Sequence, residues 1–324
     1  MLFRSDYCLI DTKSLWGSLV AQILNLPAVT LSVVFAIRPG VVQPADLIDM
    51  LYGGASQERL LDGLKGLNQY FQTARRVDHE RGTISPGIVE YLGNPHPLNI
   101  IYTSRAFQIG QEAFNETYQF VGPSIPPNRD AAIDFPFDIL DPGLPLVYIS
   151  LGTTFFEAEE FYRACFEAFA GEPYQIVLSC GPGGKRKLGD PPPNFIIAEF
   201  APQMPLLERA SLFITHGGMN SANEGLSFGV PLLVVPQRGD QFLVGKRVAE
   251  LGAGLTLHPR QASAQALRSA ATRILHEPSF NQQACVLGQS LRQAGGYLRA
   301  ADRILAYTAA RNANSLQPTA IRHA

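Results

Sequence analysis

The sequence predicts an α/β protein with a Rossmann-like domain in its C-terminal half, and three observations predict it. Beyond Leu146, β-branched apolar runs alternate with amphipathic stretches at helical spacing, the pattern of a parallel sheet covered on both faces. An apolar content of 46% supplies ordinary buried cores. The 324 residues suffice for two domains, and a stretch rich in proline, glycine and aspartate divides them.

Taken in order, YCLID (Tyr7–Asp11) reads as a short buried strand. Leu15, Leu19, Ile23 and Leu26 then fall at helical spacing, and Pro27 stops that helix. AVTLSVVFA predicts a second strand; about Pro44 to His79 predicts helix, broken by the turn-rich RGTISPG. LNIIYTS and YQFVGP are two further strands, and the linker covers Gly122–Pro145. After it come strand LVYISLG, helix EFYRACFEAFA, and strands YQIVLSC and NFIIAEF. The short helix QMPLLERA, strand LFITH, helix MNSANEGLSF, strand PLLVVP and helix QFLVGKRVAELG continue the alternation. Three helical segments, about Ala262–His276, Phe280–Ala294 and Tyr297–Arg311, close the chain ahead of a polar tail.

A net charge of −2 gives no basic footprint for nucleic acid and no polybasic patch for a membrane surface. No apolar run approaches the roughly 18–20 residues that a membrane span needs, and MLFRSDYCLID lacks the apolar stretch of a signal peptide. Cys8, Cys165, Cys180 and Cys285 are far apart and form no CxxC pair, which predicts reduced thiols rather than a disulfide frame or a zinc site. The expectation is a cytoplasmic protein without metal, cofactor or stable membrane anchor, whose partners are small molecules.

Ligands in open α/β sheets bind beyond the carboxyl ends of the strands, and three strand ends here carry suitable groups. In SLGTTF, Gly152 allows a tight turn while Thr153 and Thr154 offer hydroxyls to a phosphate. In FAPQ, Phe200 and Gln203 suit a flat base. In THGGMNSANEG, Gly217 and Gly218 let the backbone approach a ligand, and the N–H groups of the new helix face it. His216, Asn220 and Ser221 add side-chain donors, a set suited to a pyrophosphate held without a metal. Glu224, one turn deeper, suits a ribose diol, and Asp240 with Gln241 at the next strand end suit sugar hydroxyls. Each residue alone has a plainer reading: a tight turn at Gly217–Gly218, a helix cap at Asn220, a helix start at Asp240. Together the row reads base, phosphate, ribose, sugar. CGPGGKRK (Cys180–Lys187) lacks the GxxxxGK[ST] spacing and is expected to be a solvated loop.

The stretch EFAPQMPLLERASLFITHGGMNSANEGLSFGVPLLVVPQRGDQ resembles the donor-binding signature of the family 1 UDP-glycosyltransferases, in the form of their bacterial macrolide-type subfamily. DYCLIDTKSLWGSLVAQILNLPAV, FVGPS, LVYISLGTTF and RVAELGAGL are similar to that subfamily too, so the resemblance covers nearly the whole chain. It implies a GT-B fold, two Rossmann-like domains facing across a cleft, with residues 1–125 in the acceptor domain, 126–145 as linker and 146–295 as the nucleotide-sugar domain. The helix at about 297–311 would cross back to the first domain. It implies inverting, metal-independent transfer of a sugar, glucose by expectation, from UDP to a hydroxyl of a small hydrophobic acceptor such as a macrolide, flavonoid or other phenolic. Phe200 would stack on the base and Gln203 face the uracil. His216, Asn220 and Ser221 would hold the diphosphate near Gly152 and Thr153. Glu224 would bind ribose, Asp240 and Gln241 the sugar, and Asp11 would orient a catalytic histidine.

The chain departs from that pattern at its start. At about 30 residues per βα unit, roughly 90 residues of the first domain, with the histidine, are expected to be absent upstream of Asp11. General-base help is typically worth about 10²–10⁴-fold, so the chain alone is expected to be inactive. An exposed sheet edge would also invite self-association. The alternatives are a non-catalytic UDP-sugar-binding protein or half of a split transferase, and, less favoured by the order HGGMNSANEG…GDQ, a UDP-sugar 2-epimerase.

Overall fold

Continuous apolar runs, rather than alternating ones, form the strands of this protein, and both sheets are accordingly parallel throughout. A computed structural model describes residues 6–43, 45–46, 57–85, 93–127, 129–130, 132–152 and 158–315. The chain divides into two compact units, one of Met1–Val42, Leu61–Ser124 and Ala294–Ala324, the other of Gln43–Leu60 and Ile125–Gln293.

The first unit carries β1 (Cys8–Asp11), α1 (Leu15–Ile23), β2 (Ala28–Ser32), α2 (Gln57–Arg81), β3 (Leu98–Ile101) and β4 (Tyr118–Phe120), with its sheet in the order β1-β2-β3-β4. Part of the expected helix ahead of α2, residues 47–56, lies outside the described residues. Three features differ from expectation. β1, expected to be a buried strand, buries Ile10 but leaves Leu9 and Asp11 exposed. The run AVTLSVVFA stops as a strand at Ser32, whose hydroxyl donates to the Val34 carbonyl at 3.0 Å. A local side-chain bond of this kind offers the backbone an alternative to the ladder. In α1 the buried positions are Ser18, Leu19 and Ala21, whereas Trp16, Val20 and Ile23 are exposed. The spacing identified the helix but not the face that it buries.

The second unit carries β5 (Leu146–Ser150), α3 (Glu159–Phe169), β6 (Gln175–Ser179), α4 (Gly184–Leu188), β7 (Phe195–Ala198) and α5 (Gln203–Leu207). It continues with β8 (Ala210–Thr215), α6 (Met219–Ser227), β9 (Leu232–Val234), α7 (Gln241–Glu250), β10 (Gly254–Thr256), α8 (Ala264–His276) and α9 (Pro278–Gln293). Short α4 stands where a loop was expected, and β10 escaped notice because three residues show no period. The strand order is β10-β9-β8-β5-β6-β7: the chain starts in the middle, builds outward to β7, then returns to build the other side. Val147, Ile149, Ile176, Leu178, Leu212 and Ile214 are fully buried in the core between sheet and helices. Among the described residues, no helix is long and apolar enough to cross a membrane.

The last helix, α10 (Gly296–Ser315), belongs to the first unit. Its Ala300 and Ile304 pack with Val29 of β2, Leu98 and Ile100 of β3, and Val121. Ile304 is 8% exposed. Truncating it to alanine deletes buried methyls from a small core, so Ile304→Ala is expected to lower stability by about 2–4 kcal/mol, measured as a shift in the urea unfolding midpoint.

Candidate functional site

The reversal of strand order in the second unit falls between β5 and β8, and a crevice beyond the carboxyl ends of such a pair is where α/β sheets bind ligands. The last residues of the two strands, Ser150 and Thr215, are register partners. Directly past them the chain places Gly152 and His216. A Cβ on Gly152 would lie 2.7 Å from His216 Cε1, and one on Gly218 would lie 2.5 Å from His216 Nε2. The imidazole is therefore held between two glycines, each of which is glycine because the ring occupies the space of a side chain. Gly152 and Gly217 also turn the chain at φ +77° and +79°, a backbone state that favours glycine.

His216 is 8% exposed, and burial lowers its pKa to about 4. The ring is thus neutral at physiological pH, with Thr215 Oγ1 at 3.4 Å from Nδ1. α6 begins immediately afterwards, and Gly218 offers it no side-chain cap, so the first-turn N–H groups keep their polarity for an acceptor. Asn220 is exposed and Ser221 half-buried on that turn.

Glu224 lies deeper in α6 and is buried, at 3% exposure. Both of its carboxylate oxygens have donors: the Arg129 guanidinium on Oε1, and Gln203 Nε2 on Oε2 at 2.5 Å. Burial pushes the Glu224 carboxyl up, opposed by Arg129 and Gln203. Gln203 at the start of α5, expected to face a base, is here turned to Glu224, and its Oε1 accepts from the buried Tyr148 hydroxyl at 3.3 Å. Phe200, past the end of β7, is 55% exposed. Asp240 precedes α7 without capping it through its side chain. Gln241 is buried, and its Oε1 accepts the N–H groups of Gln237 and Arg238 at 2.8 and 3.1 Å, so a ligand could draw only on its Nε2 donors. Thr153 and Thr154 lie outside the described residues. Asp11, in the other unit, is exposed at the carboxyl end of β1, where its Oδ1 accepts the Lys13 N–H at 2.8 Å.

Sequence reasoning missed Arg129 and Asp130. Arg129 pairs with Glu224, and Asp130 Oδ2 accepts the Met204 N–H at 2.8 Å in the first turn of α5. They sit in the aperiodic linker, and the charged pair in PPNRDAA was the one available signal.

The depressed pKa of His216 has a sign for stability. Between about pH 4 and 6.5 the unfolded chain holds a proton on this ring that the folded chain does not, so stability rises with pH across that window. Acidifying through it is expected to remove up to about 3 kcal/mol. Urea unfolding measured across the window should show a shallower pH dependence in His216→Gln than in the wild type.

Residues 168–293 match the family model of the erythromycin biosynthesis protein CIII-like C-terminal domain. The chain is 37% identical over 302 residues to the uncharacterised UDP-glucosyltransferase YojK of Bacillus subtilis, covering 93% of this chain and 72% of that one. It is 41% identical over 221 residues to the NDP-glycosyltransferase YjiC of Bacillus licheniformis, covering 68% of this chain and 56% of the relative. Demethyllactenocin mycarosyltransferase of Streptomyces fradiae is 33% identical over 232 residues, with 71% and 50% covered. Among solved structures, the calicheamicin glycosyltransferase CalG4 aligns with a TM-score of 0.74 at 29% identity, over 93% of this chain and 75% of that one. Parallel sheets, strand order and sequence signature agree with these likenesses: the chain has the GT-B type of fold and belongs to the family 1 glycosyltransferases, in their macrolide, erythromycin CIII-like branch.

Proposed function

We propose that the second unit binds a UDP-sugar and that the protein transfers the sugar, glucose in the first instance, to a hydroxyl of a small hydrophobic acceptor. The reading rests on one observation above others: a neutral, buried imidazole held between Gly152 and Gly218, beside an uncapped helix start at the point where the strand order reverses. Such a place suits a diphosphate, since fixed N–H donors meet negative charge without a solvation shell to strip from a cation.

In this reading His216, Asn220, Ser221 and the N–H groups of α6 hold the diphosphate, with Gly152 and Thr153 beside it. As the acceptor oxygen attacks C1 and the C1–O bond to UDP breaks, the same donors stabilise the charge that collects on the leaving diphosphate. Inversion follows from attack on the face opposite the leaving group. Phe200 offers its exposed ring to the uracil, with Gln203 beside it. Glu224 accepts from the ribose diol, while Asp240 and Gln241 meet the sugar hydroxyls. Asp11 is proposed to orient a general-base histidine, the proton acceptor for the attacking hydroxyl. Macrolides, flavonoids and other phenolics are the acceptors to try, the macrolides through their aliphatic hydroxyls. A cytoplasmic location accords with soluble substrates of this kind.

Titration calorimetry tests the donor site. UDP is expected to bind, and Glu224→Ala and Phe200→Ala are each expected to weaken it on the order of tenfold. Addition of EDTA should leave the affinity unchanged. Absence of UDP binding in the wild type would sink the proposal.

Self-association is a separate expectation. Among the described residues β1 pairs with β2 alone, and Leu9 beside its open edge is 49% exposed. Light scattering should then report a concentration-dependent rise in mass that Leu9→Lys reduces.

A further inference from the structure

The proposed donor site contains an acceptor that the protein already fills with its own side chains. An ionised carboxylate only accepts hydrogen bonds, and a ribose diol at Glu224 has to donate to one of its two oxygens. Both already accept: Oε1 from the Arg129 guanidinium, and Oε2 from Gln203 Nε2. With these two donors seated, the Glu224 side chain is 4% exposed. A diol therefore reaches the carboxylate by displacing one of them.

The two donors are not held alike. Gln203 opens α5, and its amide is fixed from behind, because Oε1 accepts from the buried Tyr148 hydroxyl. Arg129 comes from the linker, and its side chain is 40% exposed. On leaving Glu224 its guanidinium meets water, and the Asp130 carboxylate, 3.8 Å from its Nε, keeps the charge nearby. Asp130 Oδ2 accepts the Met204 N–H at 2.8 Å, which ties the linker backbone to α5 while the Arg129 side chain moves. Giving a half-exposed donor back to solvent costs less than breaking a buried one. Arg129 is the donor that yields.

This exchange alters recognition. A site with an empty acceptor gains a hydrogen bond from a ribose hydroxyl and is left with a costly unpaired oxygen when the hydroxyl is missing. Here Arg129 remains on Oε1 when the hydroxyl is missing, so the oxygen stays paired. A diol that is present binds more weakly, by the fraction of molecules in which Arg129 has left. Both effects shrink the difference between a ribonucleotide and its deoxy counterpart.

We propose that Arg129 is a specificity-determining residue of the donor site, an internal stand-in for the ribose diol that competes for Glu224 and lets deoxyribonucleoside diphosphates be accepted beside ribonucleoside diphosphates. This role rests on Glu224 as the ribose acceptor of the proposed transfer, and every residue that carries it lies in the second unit.

UDP and 2′,3′-dideoxyuridine diphosphate are the probes, titrated calorimetrically into the full chain as wild type and as Arg129→Met, which keeps an apolar stem and offers no donor. The ratio of the two affinities is the readout. Any loss of folded protein, or of attraction between the Arg129 charge and the diphosphate, falls on both nucleotides and cancels. The preference for UDP is expected to be on the order of tenfold greater in Arg129→Met than in the wild type. Arg129→Lys, which keeps the charge and a donor, should fall between them. A preference that Arg129→Met leaves unchanged or lowers overturns the inference. Loss of both nucleotides by that variant overturns it too, since Arg129 would then be structural. In both cases UDP binding by the wild type leaves the donor-site reading standing, whereas a wild type that binds no UDP removes that reading and this inference together.

Discussion

The return of the chain from the edge strand β7 to the far side of β5 is the constraint on which the candidate site depends. It makes β5 and β8 register partners although 59 residues lie between the end of β5 at Ser150 and the start of β8 at Ala210. Among the described residues, no other pair of neighbouring strands in this sheet has its loops diverging to opposite sides. The space between those loops is filled by His216, and the absence of side chains at 152 and 218 is what lets the ring sit there. Topology thus chooses the place, and two missing Cβ atoms shape it.

Electrostatics gives the site its second character. A carboxylate as buried as Glu224 is unfavourable without partners. Here one partner comes from the linker, as Arg129, and the other from the start of α5, as Gln203, itself steadied by Tyr148. The charge is therefore held by three different segments of the second unit. His216 answers the same burial in the opposite manner, by remaining uncharged. One buried acid with partners and one buried neutral base lie on the same stretch of chain, from strand end to helix.

Much of this was legible in the sequence because parallel strands and their helices announce themselves by composition and period. The strand cores of the second unit and the helices α3, α6 and α7 were each readable as continuous apolar runs or amphipathic stretches. The glycines at 152, 217 and 218 were readable as points of close approach, though the object that they approach, the His216 ring, was not. Side-chain direction was the harder matter. Nothing in the spacing of α1 says that Ile23 faces out while Ala21 faces in, since both faces of that helix are apolar. Arg129 was illegible for another reason: its role depends on a contact with a residue 95 positions away, and a linker has no period from which to infer one.

The membership of α10 in the first unit has a consequence for biosynthesis. A nascent chain emerges amino end first, and domains generally fold as units during that process. The second unit ends at Gln293, whereas the core around Val29 and Ile100 lacks Ala300 and Ile304 until the final helix has been made. The unit translated first is therefore the one completed last. A frameshift or early stop near the carboxyl end would spare the second unit and strike the core that contains β2 and β3.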